Sequence, residues 1–352
     1  MIERDTPVYV RANDTVFTKQ ILPALLVISS LLLAPIGQSN AQDISFFRIG
    51  TGSSSGTYYP IGTLIGSVIS SPPGSRACED GGSCGVPGLI VTGQTTRGSI
   101  ANIEGVMGGS LETGLAQSDM VQAAYTGTGV YRLKEPAKDL RVIANLYPEN
   151  IHLVVRRDAG ITNISQLKGK RISLDLPGSG TRENAKLILS AYGIAPLEYQ
   201  AIPVNADKAV GMMLNKELDA FFFVAGYPVT AVSELANTGI IDLLPINGKI
   251  AEKIVNDHSY YSLSEIPEGV YDGIAATPSL AVSTQWVVNA NMEEDVVYDV
   301  TRALWHPKNR VLLDNGHLKG KHIRLETALD GIATPLHAGA EKYYRENGMI
   351  KN

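Results

Sequence analysis

Several things are scarce in this 352-residue chain, and each scarcity removes a class of function. There is no basic excess: 30 Lys and Arg against 35 Asp and Glu leave a formal net charge of −5, whereas a nucleic-acid binder carries a basic patch or domain. There are two cysteines, Cys78 and Cys84, and no second Cys pair or close His pair that would complete zinc-type spacing, so no metal site is expected. His152, His258, His306, His317, His322 and His337 are scattered, and surface or satisfied core positions are expected for them. No glycine loop is followed by the lysine of a P-loop, and Gly50, Gly52 and Gly56 are one residue too widely spaced for a dinucleotide fingerprint; no cofactor is expected.

No apolar run reaches the roughly 20 residues of a membrane span either. The longest, Ile21 to Ala34, is interrupted by Pro23, Ser29 and Ser30, and is followed by Pro35, Gly37 and Ser39-Asn40-Ala41. This reads as a signal peptide over residues 1–41, cleaved after Ala41. The polar stretch before it is long and holds Glu3, Asp5 and Asp14, so Val16 is a candidate start. Arg4, Arg11 and Lys19 balance those acids, and the mature chain keeps its charge of −5. In an oxidising compartment Cys78-Glu-Asp-Gly-Gly-Ser-Cys84 can close into a disulfide worth about 2 kcal/mol; the alternative is two free thiols. Neither cysteine stands at the cleavage site, so the product is expected to be soluble in the periplasm without a lipid anchor.

What is present is an alternation of short β-like runs with helical stretches. The strands expected are Phe46–Ile49, Leu89–Val91, Arg141–Ala144, Leu153–Val155, Arg171–Asp175 and Ala220–Val224; the helices are Tyr59–Ile69, Ser118–Tyr125, Arg182–Tyr192, Asp207–Leu214 and Asp295–Trp305. The pattern is α/β with largely parallel sheets, and about 310 mature residues imply two domains. Trp286, Trp305 and Phe221-Phe222-Phe223 are expected in the core.

Two loops carry the chemistry. Thr51-Gly-Ser-Ser-Ser-Gly-Thr-Tyr58 and Pro177-Gly-Ser-Gly-Thr181 each follow a strand and open a helix, which sets free N–H groups, small hydroxyls and the positive end of a helix dipole at a strand's C-terminal edge. Gly114-Leu-Ala-Gln-Ser-Asp119 is a weaker third case. These are anion-receiving loops. Gly52-Ser-Ser-Ser-Gly56 also satisfies the Gly-x-Ser-x-Gly pattern of a serine hydrolase, with Ser54 as nucleophile and His337 available, but only about a dozen mature residues precede Ser54, too few for the strands that come before such an elbow.

The segments RIGTGSSSGTYYPIG (Arg48 to Gly62), CEDGGSCGVPGL, GLAQSD, LDLPGSGT and DAFFFVAGYP (Asp219 to Pro228) resemble, in order, those of the TAXI family of solute receptors of TRAP transporters, including a subgroup described as immunogenic periplasmic antigens. The resemblance spans the mature chain. It implies a type II periplasmic binding protein fold with two lobes and a ligand cleft between them, no enzymatic activity, and delivery to an ion-gradient-driven membrane transporter. Lobe 1 would be residues 43–150 with 276–352 and lobe 2 residues 151–275, joined at Tyr147-Pro-Glu-Asn150 and Ala276-Thr-Pro278. A hydrolase, or a non-binding antigen of the same fold, is the alternative function.

The cleft contacts expected are Thr51, Gly52, Ser54, Gly56, Thr57 and Tyr58, with Gln117, Ser118 and Asp119 beside them. Facing these are Ser179, Gly180 and Thr181, with Tyr147 from the crossover and Tyr227 as either a wall or a core residue. The ligand expected is a carboxylate, glutamate or a related dicarboxylate such as 2-oxoglutarate; Asp119 would meet an ammonium group or serve only as a helix cap. Arg182 would pair with a carboxylate or stay exposed. Thr181→Val is expected to weaken binding while leaving the melting temperature of the free protein nearly unchanged.

Overall fold

A computed structural model describes residues 44–351, and twelve strands organise these described residues. The expected signal peptide lies outside the described residues. The strands are β1 (Ser45–Gly50), β2 (Ser70–Ser71), β3 (Val86–Pro87), β4 (Leu89–Gln94), β5 (Thr113–Gln117), β6 (Leu140–Arg156), β7 (Arg171–Ser173), β8 (Gln200–Ala201), β9 (Ala220–Ala225), β10 (Ile241–Leu243), β11 (Ser262–Ile266) and β12 (Thr277–Asn289). All except β2 and β3, which pair with each other, lie in one ten-stranded sheet ordered β4-β1-β5-β12-β6-β9-β7-β8, with β10 added to β6 and β11 to β12.

At both ends the sheet is parallel, β1 with β4 and β5, β7 with β8 and β9, as helical crossovers require. Its middle is antiparallel: β12 runs against β6 from Leu140 to Asn150. Here the structure departs from the sequence reading. Arg141–Ala144 and Leu153–Val155, expected as separate strands, are the two ends of β6, and the expected crossovers lie within β6 and at the start of β12. Pro148, which cannot donate to a ladder, is accommodated opposite Ser283, next to the register shift at Thr284 and Gln285.

Apolar packing divides along these strands. Clusters built on Ile49, Leu115 and Trp286, and on Ile103, Val121 and Val142, take residues up to Tyr147 and beyond Trp286. Clusters built on Leu153, Ile172 and Phe222, and on Val154, Phe221 and Leu235, take residues 151 to 282. The phenylalanine run is core: Phe221 and Phe222 are buried on opposite faces of β9 in different clusters, as strand alternation dictates. No helix among the described residues is long and apolar enough to cross a membrane.

Cys78 and Cys84 form a disulfide with Cα atoms 4.6 Å apart. Lys308 Nζ donates to the Cys78 carbonyl at 2.9 Å, tying the glycine-rich loop to the segment after helix Glu294–Leu304.

Candidate functional site

Five strand ends converge on one cavity. It lies between the first loop, the Thr96–Ser99 turn after β4, Gln117 at the end of β5, the Asp175–Thr181 loop, and Phe223–Ala225 of β9. Its volume is about 40 Å³, on a measure in which one water needs roughly 10–15 Å³. With its two sides as they stand, the cavity has room for a few waters.

Two helix N-termini open here without a side-chain cap: Tyr58–Ile69, preceded by Thr57, and Gly180–Ala191, preceded by Ser179. The hydroxyls that would normally cap them are engaged elsewhere. Thr57 Oγ1 donates to the carbonyl of Gly226 across the cleft, and Ser179 Oγ donates to Asp175 Oδ2 at 2.8 Å. The first-turn N–H groups and the positive ends of both dipoles are thus left for a ligand. Ser53 Oγ, buried beside the cavity, has no hydrogen-bond partner.

Two charged residues of opposite sign border the cavity. Arg97 stands exposed at its rim, against Gly178 of the second loop. Asp175, 8% exposed, takes a left-handed backbone conformation at φ 78° that turns the chain sharply after β7. Its carboxylate accepts from Leu176 N at 2.7 Å and Ser179 Oγ at 2.8 Å, and burial still pushes its pKa up to about 6.

Across the cleft the sides bond directly. Asn184 Nδ2 donates to Gln117 Oε1 at 3.1 Å and Asp119 Oδ2 at 2.8 Å, and Ser55 N donates to Asp207 Oδ1 at 3.0 Å. Gly180 is needed for this approach: a Cβ there would lie 2.3 Å from Gln117 Oε1.

A model of the NMT1-like family matches residues 49–348. The chain belongs to the NMT1-like family. Among solved structures, PhnD1 from Prochlorococcus marinus (MIT 9301), in complex with methylphosphonate, is similar over 87% of this chain and 99% of that one, with a TM-score of 0.50 at 13% identity. MatC from Rhodopseudomonas palustris, with bound malate, is matched over 77% and 88%, TM-score 0.49, at 14% identity. A protein from Bordetella bronchiseptica RB50 is matched over 86% and 82%, TM-score 0.49, at 16% identity. At such identities the likeness to PhnD1 speaks to fold, and the fold is the two-lobed α/β architecture of periplasmic binding proteins.

Of the residues expected in the cleft of this NMT1-like protein, the structure brings Gly52, Gly56, Thr57 and Tyr58 to the cavity, together with Gln117, Ser179, Gly180 and Thr181. The others are elsewhere. Thr51 is fully buried behind the loop, bonded to the Gln94 carbonyl, because it braces β1 against β4. Ser54 is exposed on an outer groove with Asp207 and Glu234. Asp119 faces a groove on another side and is occupied by Asn184, so it is neither a free ammonium receptor nor merely a cap. Ser118 is buried next to it. Tyr147 and Tyr227 lie behind the cavity, Tyr227 with its ring 3.6 Å from Lys319 Nζ. Arg182 donates to the Asp175 carbonyl rather than entering the cavity.

The Ser54–His337 pairing is not assembled. His337 Nδ1 accepts from Gly339 N at the start of helix Ala338–Glu346, and Nε2 donates to the Met292 carbonyl before helix Glu294–Leu304, so both nitrogens are taken. His152 is likewise a satisfied core residue: Nδ1 donates to the Asn150 carbonyl at 3.0 Å, and Nε2 accepts from Tyr271 at 2.9 Å.

Sequence reasoning passed over Arg97, Ser99 and Asp175. The signal for the first two was present: Gln94-Thr-Thr-Arg-Gly-Ser99 is a fourth strand-to-helix loop of glycine and hydroxyl residues, leading from β4 into helix Ser99–Met107.

Proposed function

We propose that the protein is an exported solute receptor that closes two lobes on a small carboxylate, glutamate or a related dicarboxylate first, and presents it to a membrane transporter of the TRAP type. One observation carries this reading: a cavity between two uncapped helix ends is bordered by a single guanidinium and a single carboxylate, Arg97 and Asp175. The helix ends and Arg97 suit carboxylate oxygens, and Asp175 suits an ammonium group. In this reading Asp175 takes the part expected of Asp119.

The lobes would be residues 43–150 with 276–352 and residues 151–275. The resemblance of five ordered segments to TAXI receptors supports the TRAP partner, and the interrupted apolar run before Ala41 supports export to the periplasm. A receptor needs no group that breaks bonds, and the cavity residues serve as donors, acceptors and counterions.

A thermal-shift panel tests this: glutamate, 2-oxoglutarate, malate, glutamine, and methylphosphonate as a tetrahedral oxyanion. A ligand at 100 times its dissociation constant stabilises the folded state by about 2.7 kcal/mol. Glutamate or a dicarboxylate should give the largest rise, and Arg97→Met should reduce it. A response to methylphosphonate alone would overturn the ligand class.

A further inference from the structure

Behind the cavity is a chamber of charged and phenolic groups that ligand capture as described does not use. Lys319, on the turn Leu318–His322, is 1% exposed, and its ammonium has no hydrogen-bond acceptor among the described residues. Its nearest compensation is the ring of Tyr227, 3.6 Å from Nζ. Glu149 of β6 is fully buried; Oε1 accepts from Tyr58 OH and Thr284 Oγ1, both at 2.7 Å, while Oε2 is unpartnered. The Tyr147 hydroxyl is also buried and unpartnered.

This chamber adjoins the cavity at two points. Tyr58 borders the cavity and donates into the chamber. Gly226 follows the cavity-lining Phe223–Ala225, and a Cβ on it would lie 2.7 Å from Lys319 Cγ and 3.0 Å from Tyr147 Cε2, so a glycine is required for the lysine stem to pass.

Lys319 belongs to the segment after residue 276 and Tyr227 and Gly226 to the segment 151–275. Separating the lobes would take the ring away and return the ammonium to water. Closing them strips a cation of water and gives it only a π face and a distant carboxylate, an uncompensated cost that a negative charge in the adjoining cavity offsets in a low-dielectric interior.

We propose that Lys319 makes closure conditional on ligand charge: its ammonium is the countercharge for an anion in the cavity, so closure on an empty or uncharged site is disfavoured. This rests on the receptor reading above and names the residue that separates a carboxylate from its amide. The surroundings agree. Burial brings the Lys319 pKa down to about 8 and the Glu149 pKa up to about 8, and His152, His317 and His322 are lowered first by their own burial and then by the Lys319 cation.

The test uses the mature chain and its Lys319→Met variant, with Lys319→Gln as a second uncharged form should the first fail to fold by circular dichroism. Small-angle scattering without ligand should show the variant more compact than the native protein. Calorimetric titration should show the native preference for L-glutamate over L-glutamine reduced about tenfold or more in the variant. A variant as extended as the native protein, a native protein already compact without ligand, or an unchanged preference would each overturn the proposal. If the native protein binds neither compound, the ligand class fails, and the ligand-free scattering still decides the role of Lys319.

Discussion

The loops Thr51–Tyr58 and Asp175–Thr181 look alike in sequence, each a strand, a run of glycine and hydroxyl residues, and an uncapped helix, yet their hydrogen bonds differ. The first spends its polar groups across the cleft: Thr57 on Gly226, Ser55 on Asp207. The side chains of the second bond within their own half, Ser179 to Asp175, Arg182 to the Asp175 carbonyl, and Thr181 Oγ1 accepting from Val224 N at 3.1 Å, and only its Gly178 carbonyl reaches across, accepting from Ala101 N at 3.1 Å. One loop is built to meet a partner and the other to hold its shape while being met. The same residue types therefore report a helix end open to an anion but not which groups remain free.

The largest effect that would sharpen this contrast is expected from Gly180→Val. Its side chain would strike Gln117 and Ser99, which lie on the far side of the cleft. Ligand affinity should fall about a hundredfold or more, read by calorimetry, while the melting temperature of the free protein changes little. Thr181→Val comes next, and here the structure alters the expectation drawn from sequence. The hydroxyl is 3% exposed and satisfies a β9 amide, so its removal should cost about 1–3 kcal/mol of stability in urea unfolding as well as weakening binding. An unchanged midpoint would show that the second loop is not internally braced.

Asp175 gives a third, smaller effect, with a defined sign. Its folded pKa of about 6 stands above the ordinary 3.8, so the unfolded chain releases its proton first. Its contribution to stability is greatest at low pH and is lost as pH rises from about 4 to 6, by about 3 kcal/mol. Asp119 and Glu149, also raised by burial, act in the same direction, so the quantity to measure is the difference between native and Asp175→Asn stability curves. A difference independent of pH would remove Asp175 from the buried set. Smallest of all, Ser54→Ala should leave both ligand affinity and melting temperature within error, since Ser54 is exposed outside the cavity.

Much of this was legible in the chain. Each glycine and hydroxyl loop marks a strand end because a sheet presents its βα turns at one edge, and eight of the expected contacts meet at the cavity for that reason. The rest depended on long-range pairing. Thr51 and Ser54 sit in the same loop as Gly52 and Thr57, but β4 draws the Thr51 hydroxyl inward and the turn points Ser54 out. Asp119 stands outside the cavity, bonded to Asn184 65 positions away, and Asp175 escaped notice because its turn into the left-handed region is not visible in composition. Lys319 carried no local signal at all; burial of its stem under Gly226 is purely tertiary.

The join between the halves has its own consequence. Because Tyr147–Asn150 and Ala281–Thr284 lie inside the β6–β12 ladder rather than in loops, the backbone amides there are locked in the interior of the widest sheet of the molecule. Opening and closing would leave those hydrogen bonds intact and act on the ladder's curvature instead. Amide exchange with deuterated solvent should accordingly be as slow in this ladder as in the core, and ligand should protect the Thr51–Tyr58 and Asp175–Thr181 amides far more than those of the ladder.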